Sequence, residues 1–106
     1  MNYSKSEAKD WAKDFYKGLD GTLLPSFTPE ELALDEEGVR HDVRELIRHG
    51  LFGTTLVTEA GTSKEEDKKV IEWMADEAKG EIGVTLALKY YTLQENIEMA
   101  QHAEAV

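Results

Sequence analysis

The stretch Phe52-Gly53-Thr54-Thr55-Leu56-Val57-Thr58-Glu59-Ala60-Gly61-Thr62-Ser63-Lys64-Glu65-Glu66 decides the fold. Its first seven residues are rich in β-branched and apolar types and read as a strand. A short turn follows, and then Ser63 and Glu66 form a capping-box pair. The serine hydroxyl can accept from the Glu66 amide while the Glu66 carboxylate reaches back. The helix so opened carries Val70, Ile71, Met74, Ala75 and Ala78 on one stripe and stops at Gly80. Strand, turn and capped helix make one βα unit.

The same unit reads on both sides of this stretch. Upstream, Thr22-Leu23-Leu24-Pro25-Ser26-Phe27 is a short apolar strand that Pro25 makes irregular near its end. Asp35 follows as the N-cap of a helix with Val39, Val43, Leu46 and Ile47 on one face. Gly38 weakens that helix's first turn by up to ~1 kcal/mol relative to alanine. Gly50 suits the left-handed residue after the helix, and His49 suits its dipole. Downstream, Ile82-Gly83-Val84-Thr85-Leu86-Ala87-Leu88 is apolar nearly throughout, as expected of a parallel strand covered on both faces. Thr92-Leu93-Gln94-Glu95 repeats the capping box and opens a helix with Ile97, Ala100 and Ala103. Ahead of everything, Ala8, Trp11, Ala12, Phe15 and Leu19 mark a helical stripe between Ser4 and Leu19.

Strands recur at about thirty residues, the size of one βαβ step, and such units wind right-handed into a parallel sheet. The first turn, Phe27-Thr28-Pro29-Glu30-Glu31, lacks the glycine-rich phosphate loop that opens a doubly wound sheet. A barrel of eight βα units takes ~250 residues, so three units with helices on one side read as its opening part. The expected fold class is therefore α/β, a partial TIM (β/α)8 barrel. A leading helix occupies 1–20, and the first three βα units occupy 21–106.

Composition narrows the function. The 106 residues hold 22 acidic and 12 basic side chains, a net charge of −10 that repels phosphate backbones and argues against nucleic-acid partners. The absence of cysteine excludes disulfides, thiolate zinc sites and thiol nucleophiles, and fits a cytoplasmic setting. No apolar run approaches the ~20 residues that span a bilayer, and the start Met1-Asn2-Tyr3-Ser4-Lys5 lacks a signal-peptide core, so no membrane role is expected.

Barrel enzymes keep their chemistry at the carboxyl ends of the strands. There the second strand presents Glu59, Ala60, Gly61 and Thr62 as a candidate substrate-binding turn. The Glu59 carboxylate could serve as a base and Thr62 could orient a ligand, although a solvated loop carboxylate is commoner. Lys89 ends the third strand; a buried lysine could attack a carbonyl, whereas a solvated or ion-paired one is the usual case. Tyr90 and Tyr91 could line a pocket or pack against neighbouring structure. Ser26 and Thr28 read chiefly as turn-stabilising hydroxyls. His41, His49 and His102 fall on helix surfaces without metal-ligand spacing. Glu65-Glu66-Asp67 and Asp35-Glu36-Glu37 read as charges favouring helix starts.

The series resembles the N-terminal portion of the dihydrodipicolinate synthase / N-acetylneuraminate lyase family of Schiff-base aldolases. The resemblance is carried by Gly21-Thr22-Leu23-Leu24-Pro25-Ser26-Phe27-Thr28, Leu34-Asp35-Glu36-Glu37-Gly38-Val39, and Val43-Arg44-Glu45-Leu46-Ile47-Arg48-His49-Gly50. It continues in Gly53, in Glu65-Glu66-Asp67-Lys68-Lys69-Val70-Ile71-Glu72, and in Thr92-Leu93-Gln94-Glu95-Asn96-Ile97-Glu98-Met99-Ala100-Gln101-His102-Ala103. It implies a lyase acting on a small 2-keto acid such as pyruvate, homo-oligomeric, and needing no metal or organic cofactor. The family's Schiff-base lysine lies on its sixth strand and the partner tyrosine on its fifth, so no catalytic residue is expected within these 106. The family's Gly-Thr-Thr-Gly-Glu turn, which holds the keto-acid carboxylate, matches Thr58-Glu59-Ala60-Gly61-Thr62, where only Gly61 agrees. Glu59 there would repel a carboxylate. A hydratase–aldolase or sugar-acid dehydratase on the same barrel is a related expectation. The alternative from a different class is a catalytically silent fragment or a small self-associating α/β protein, its edge strands open to pairing.

Overall fold

The computed structural model describes residues 4–106; residues 1–3, part of the start read above as lacking a signal-peptide core, lie outside the described residues. Helices and strands alternate along the chain as α1 (Ala8–Phe15), β1 (Asp20–Leu23), α2 (Glu36–Arg48), β2 (Gly53–Leu56), α3 (Lys64–Ala78), β3 (Gly83–Leu86) and α4 (Leu93–Ala105). The strands form one parallel sheet in the order β1-β2-β3. This is the (β/α) arrangement the periodicity predicts.

Register explains why the sheet holds. Leu23, Leu56 and Leu86 stand side by side across the three strands, and so do Thr22, Thr55 and Thr85. Successive side chains of a strand point to opposite faces. The leucine row meets the helices: Leu23 and Leu56 are buried in one cluster with Val39 and Val43 of α2 and Val70, Ile71, Met74 and Ala78 of α3. Burying each of the leucine, valine, isoleucine and methionine side chains contributes roughly 1.5–3 kcal/mol. The threonine row faces away; Thr22 and Thr85 are exposed and Thr55 is half-buried, its hydroxyl donating to Asp20 Oδ2 at 2.6 Å.

Local chemistry sets the helix ends. Asp35 caps α2, its Oδ1 accepting from the Gly38 amide at 3.1 Å. Both capping boxes form, Ser63 with Glu66 on α3 and Thr92 with Glu95 on α4. Gly50 takes φ +76° after α2 as expected, whereas α3 ends on two left-handed residues, Lys79 and then Gly80. Ion pairs lace the outer helix surfaces together. Arg40 of α2 reaches Asp76 at 2.7 Å and Glu77 at 3.3 Å on α3, and Lys64 and Lys68 of α3 reach Glu98 of α4 at 2.7 and 2.6 Å.

Several expectations need correction. β1 begins at Asp20 rather than Thr22, and its ladder runs from Leu19, whose carbonyl accepts from Phe52, to Leu23, whose carbonyl accepts from Val57. The chain then leaves the sheet, because Pro25 has no amide to donate and Phe27 turns to form an antiparallel bridge with Leu34. The second and third strands are likewise shorter than Phe52-to-Thr58 and Ile82-to-Leu88. β3 is not covered on both faces: Thr85 is exposed, and Val84 and Leu86 are half-buried. Gly38 is also more than a weak spot in its helix. A Cβ there would lie 2.8 Å from Ser26 Cβ, so its bareness lets α2 start against the loop after β1.

The leading helix covers Ala8–Phe15 only, and none of its residues is fully buried. Gly18, at φ +114°, ends the segment before β1. What attaches α1 is aromatic. Trp11 stacks on Phe15 with centroids 4.5 Å apart, and Phe15 and Tyr16 meet Phe52 edge-on at 6.3 and 5.5 Å. Phe52 precedes β2, and Gly83, which Phe15 also approaches, opens β3. The helix therefore closes the amino-terminal end of the strands and leaves the carboxyl end to the loops.

Candidate functional site

Parallel strands deliver the loops after β2 and β3 to the same end of the sheet, and hydrogen bonds tie these loops together. Thr58 Oγ1 donates to the Ala87 carbonyl at 3.2 Å. One residue on, Glu59 Oε2 pairs with Lys89 Nζ at 3.0 Å, with both side chains more than half exposed. Glu59 is thus compensated by a cation from the neighbouring loop rather than aimed bare at a ligand. Lys89 is the solvated, ion-paired lysine of the commoner reading.

Beneath this pair lies a second connection. Thr62 Oγ1 donates to Asp67 Oδ1 at 2.5 Å, and the Tyr90 hydroxyl donates to Asp67 Oδ2 at 2.8 Å. Asp67 is 1% exposed. A carboxylate so buried needs its oxygens satisfied, and here the two neighbouring loops satisfy them. Burial, reinforced by the adjacent Asp67, pushes the Tyr90 phenol well above its ordinary range, so it remains a donor at neutral pH. Asn96 of α4 fixes the Tyr90 main chain, accepting from its amide at 3.2 Å and donating to its carbonyl at 2.9 Å.

Of the four turn residues, Glu59 is engaged by Lys89 and Thr62 by Asp67, Ala60 is half-buried, and Gly61 is exposed at φ +82°, a backbone state that favours glycine. The amide of Ser63 is occupied by Glu66 Oε2 at 2.8 Å and that of Glu66 by Ser63 Oγ at 3.2 Å, so the capping box uses two of the donors at the start of α3. Tyr90 packs under the turn whereas Tyr91 is fully exposed. Thr28 Oγ1 accepts from the Ala33 amide at 3.2 Å, the turn-stabilising role expected of it. The Ser26 main chain holds the start of α2, its carbonyl accepting from Asp35 at 2.8 Å.

One reading of side-chain environment is corrected and another is extended. His102 is half-buried rather than on the surface, with Nε2 3.1 Å from Glu72 Oε1 of α3, because α4 lays this face against α3. Asp67 stands in the first turn of α3 as expected, and it is also buried. It follows the capping box by one residue and shares the stripe of Val70, Ile71 and Met74, so helical spacing turns it inward. That stripe was the signal: an acid in phase with an apolar face. Among the described residues no group of three or more His, Asp or Glu side chains converges as a metal site, and no helix is long and apolar enough to cross a membrane. A cleft of about 360 Å³ lies between α1, β3, α3 and α4, lined by residues such as Phe15, Tyr16, Ile71, Ala75 and Ile82 and by no acidic, basic or histidine side chain.

No family model matches the chain. Individual proteins do. It is 36% identical over 97 residues to the 4-hydroxy-tetrahydrodipicolinate synthase of Bradyrhizobium diazoefficiens, covering 88% of this chain and 32% of that protein. To the synthase of Methanopyrus kandleri it is 31% identical over 97 residues, covering 85% of this chain and 31% of that one. In fold it is similar to the crystal structure of dihydrodipicolinate synthase from Aquifex aeolicus, with a TM-score of 0.77 at 22% identity over 85% of this chain and 31% of the other. The chain spans about a third of the length of the curated relatives it matches. What these relatives share with it is a leading run of βα units, so the fold is a partial (β/α)8 barrel and the chain resembles the N-terminal portion of the dihydrodipicolinate synthase family.

Proposed function

We propose that the chain forms the first βα units of a Schiff-base aldolase or synthase acting on a 2-keto acid of the pyruvate type, with the carbonyl-attacking lysine outside these residues. The match to named synthases over 97 residues carries this reading. In that chemistry a lysine amine adds to the ketone and water leaves, giving an iminium that accepts the electron pair of an adjacent carbanion. The loops after β2 and β3 supply one wall of the pocket, with the Glu59–Ala60–Gly61–Thr62 turn beside the ligand. Because Lys89 already neutralises Glu59, the charge repulsion expected from the sequence is blunted. The setting is cytoplasmic and the assembly homo-oligomeric in the same reading.

Borohydride reduction with pyruvate tests the placement of the lysine. The 106-residue chain is expected to gain no mass, and a stable adduct on Lys89 or any other lysine overturns the reading. Titration with pyruvate followed by amide NMR tests the turn. Shifts centred on Gly61 and Thr62 are expected, and their absence removes the turn from the site. A second reading, a catalytically silent protein that self-associates, is favoured by one observation: β1 and β3 each have a single sheet neighbour among the described residues. Light scattering that gives a monomer at every concentration overturns that alternative.

A further inference from the structure

We infer that Asp67 is the positioning residue of the turn after β2, a buried carboxylate that locks the Glu59–Ala60–Gly61–Thr62 main chain to the loop after β3 through Thr62 and Tyr90. That this turn then meets a keto acid rests on the function proposed above; the lock itself does not. Three observations converge on it. Asp67 is buried in a helix whose other first-turn acids, Glu65 and Glu66, are not. Each of its oxygens accepts a hydroxyl from a different loop, Thr62 at 2.5 Å and Tyr90 at 2.8 Å. Tyr90 in turn is pinned at its main chain by Asn96 of α4. One carboxylate on α3 therefore sets two loops relative to each other and to two helices.

The chemistry of the bonds says how the positioning works. The Thr62 hydroxyl has one proton, and it is committed to Asp67. Toward a ligand it offers lone pairs only, so it is not the donor for a substrate carboxylate. What the bond fixes is the path of the Gly61–Thr62 main chain. Tyr90 presents its hydroxyl inward in the same way. The exposed Glu59–Lys89 pair spans the same two loops but is a solvated contact of small weight. The bonds to the buried Asp67 carboxylate set the geometry.

The test uses the 106-residue chain and three variants, Thr62→Val, Thr62→Ser and Tyr90→Phe, none of which removes the buried carboxylate. Thr62→Val is expected to shift the Tyr90 and Tyr91 resonances on the other loop and to weaken any pyruvate-induced change at the Gly61 amide about tenfold, the equivalent of one hydrogen bond. Thr62→Ser, which keeps the hydroxyl, restores both. Tyr90→Phe is expected to perturb Gly61 and Thr62 across the lock. A Thr62→Val chain whose Tyr90 loop matches the parent, or a Thr62→Ser chain no better than Thr62→Val, overturns the inference. A parent chain silent to pyruvate in which Thr62→Val still moves the Tyr90 loop supports the lock and overturns the keto-acid reading instead.

Discussion

The two faces of the sheet differ by one residue in every strand, and that offset separates a core from a polar surface. Leu23, Leu56 and Leu86 meet α2 and α3; Thr22, Thr55 and Thr85, each the preceding residue, face the other way. Leu56 is fully buried on the central strand while Leu86, in the same row on β3, is only half-buried. Position in the sheet, as much as residue type, decides how much each leucine contributes. Threonine hydroxyls on the two faces also fare differently: Thr55 bonds to Asp20 along the polar face, whereas Thr54, turned toward the helices, is buried with no hydrogen-bond partner for its hydroxyl among the described residues.

Substitutions in the two rows probe this contrast most sharply. Leu56→Ala should destabilise by about 3 kcal/mol, the range of a large-to-small change in a packed core, read as a lower urea midpoint at unchanged slope. Leu86→Ala should cost visibly less, and equal losses at the two positions would erase the distinction between a fully buried and a half-buried member of the row. Ser63→Ala, which removes half of the box at the start of α3, should cost about 1 kcal/mol by the same measurement. Thr55→Ala on the polar face should cost no more than about 1 kcal/mol, since its bond to Asp20 is exposed.

Acid titration examines the outer layer of the covered side. Lys64 and Lys68 hold the Glu98 carboxyl at about 2, below its ordinary 4.5. A depressed carboxyl stabilises the fold fully above the unfolded value and loses that contribution as pH falls from 4.5 toward 2. Hydrogen exchange in α4 should therefore quicken across that window in the parent chain and show little such dependence in Glu98→Gln. The smallest effect belongs to Lys89→Ala, expected to change stability by about 0.5 kcal/mol or less because its pair with Glu59 is solvated.

Much of this architecture is legible from short-range rules. The caps at Asp35, Ser63 and Thr92 are encoded within four residues each, and the strand–helix alternation follows from the recurring period. What escapes are features set by partners distant in sequence. The start of β1 at Asp20 depends on pairing with Gly53, and no local signal marks a polar residue followed by glycine as strand. Leu32 adopts φ +53° in the loop between Phe27 and Leu34, a conformation imposed by the bridge that closes it. At the candidate site the turn's place in the chain is readable, yet its bonds to Lys89 and Asp67 span thirty and five positions. Only the second left a trace, an acid in register with valine, isoleucine and methionine.

The aromatic attachment of α1 has a consequence for the order in which the molecule comes apart. The eight residues of α1, none of them fully buried, and the Tyr16 that follows rest on Phe52 through ring contacts worth ~0.5–1.5 kcal/mol apiece, whereas Leu23 and Leu56 are fully buried against α2 and α3. Warming should therefore release this amino-terminal segment before the cooperative transition, seen as an early change in Trp11 emission once Trp73 is replaced by phenylalanine.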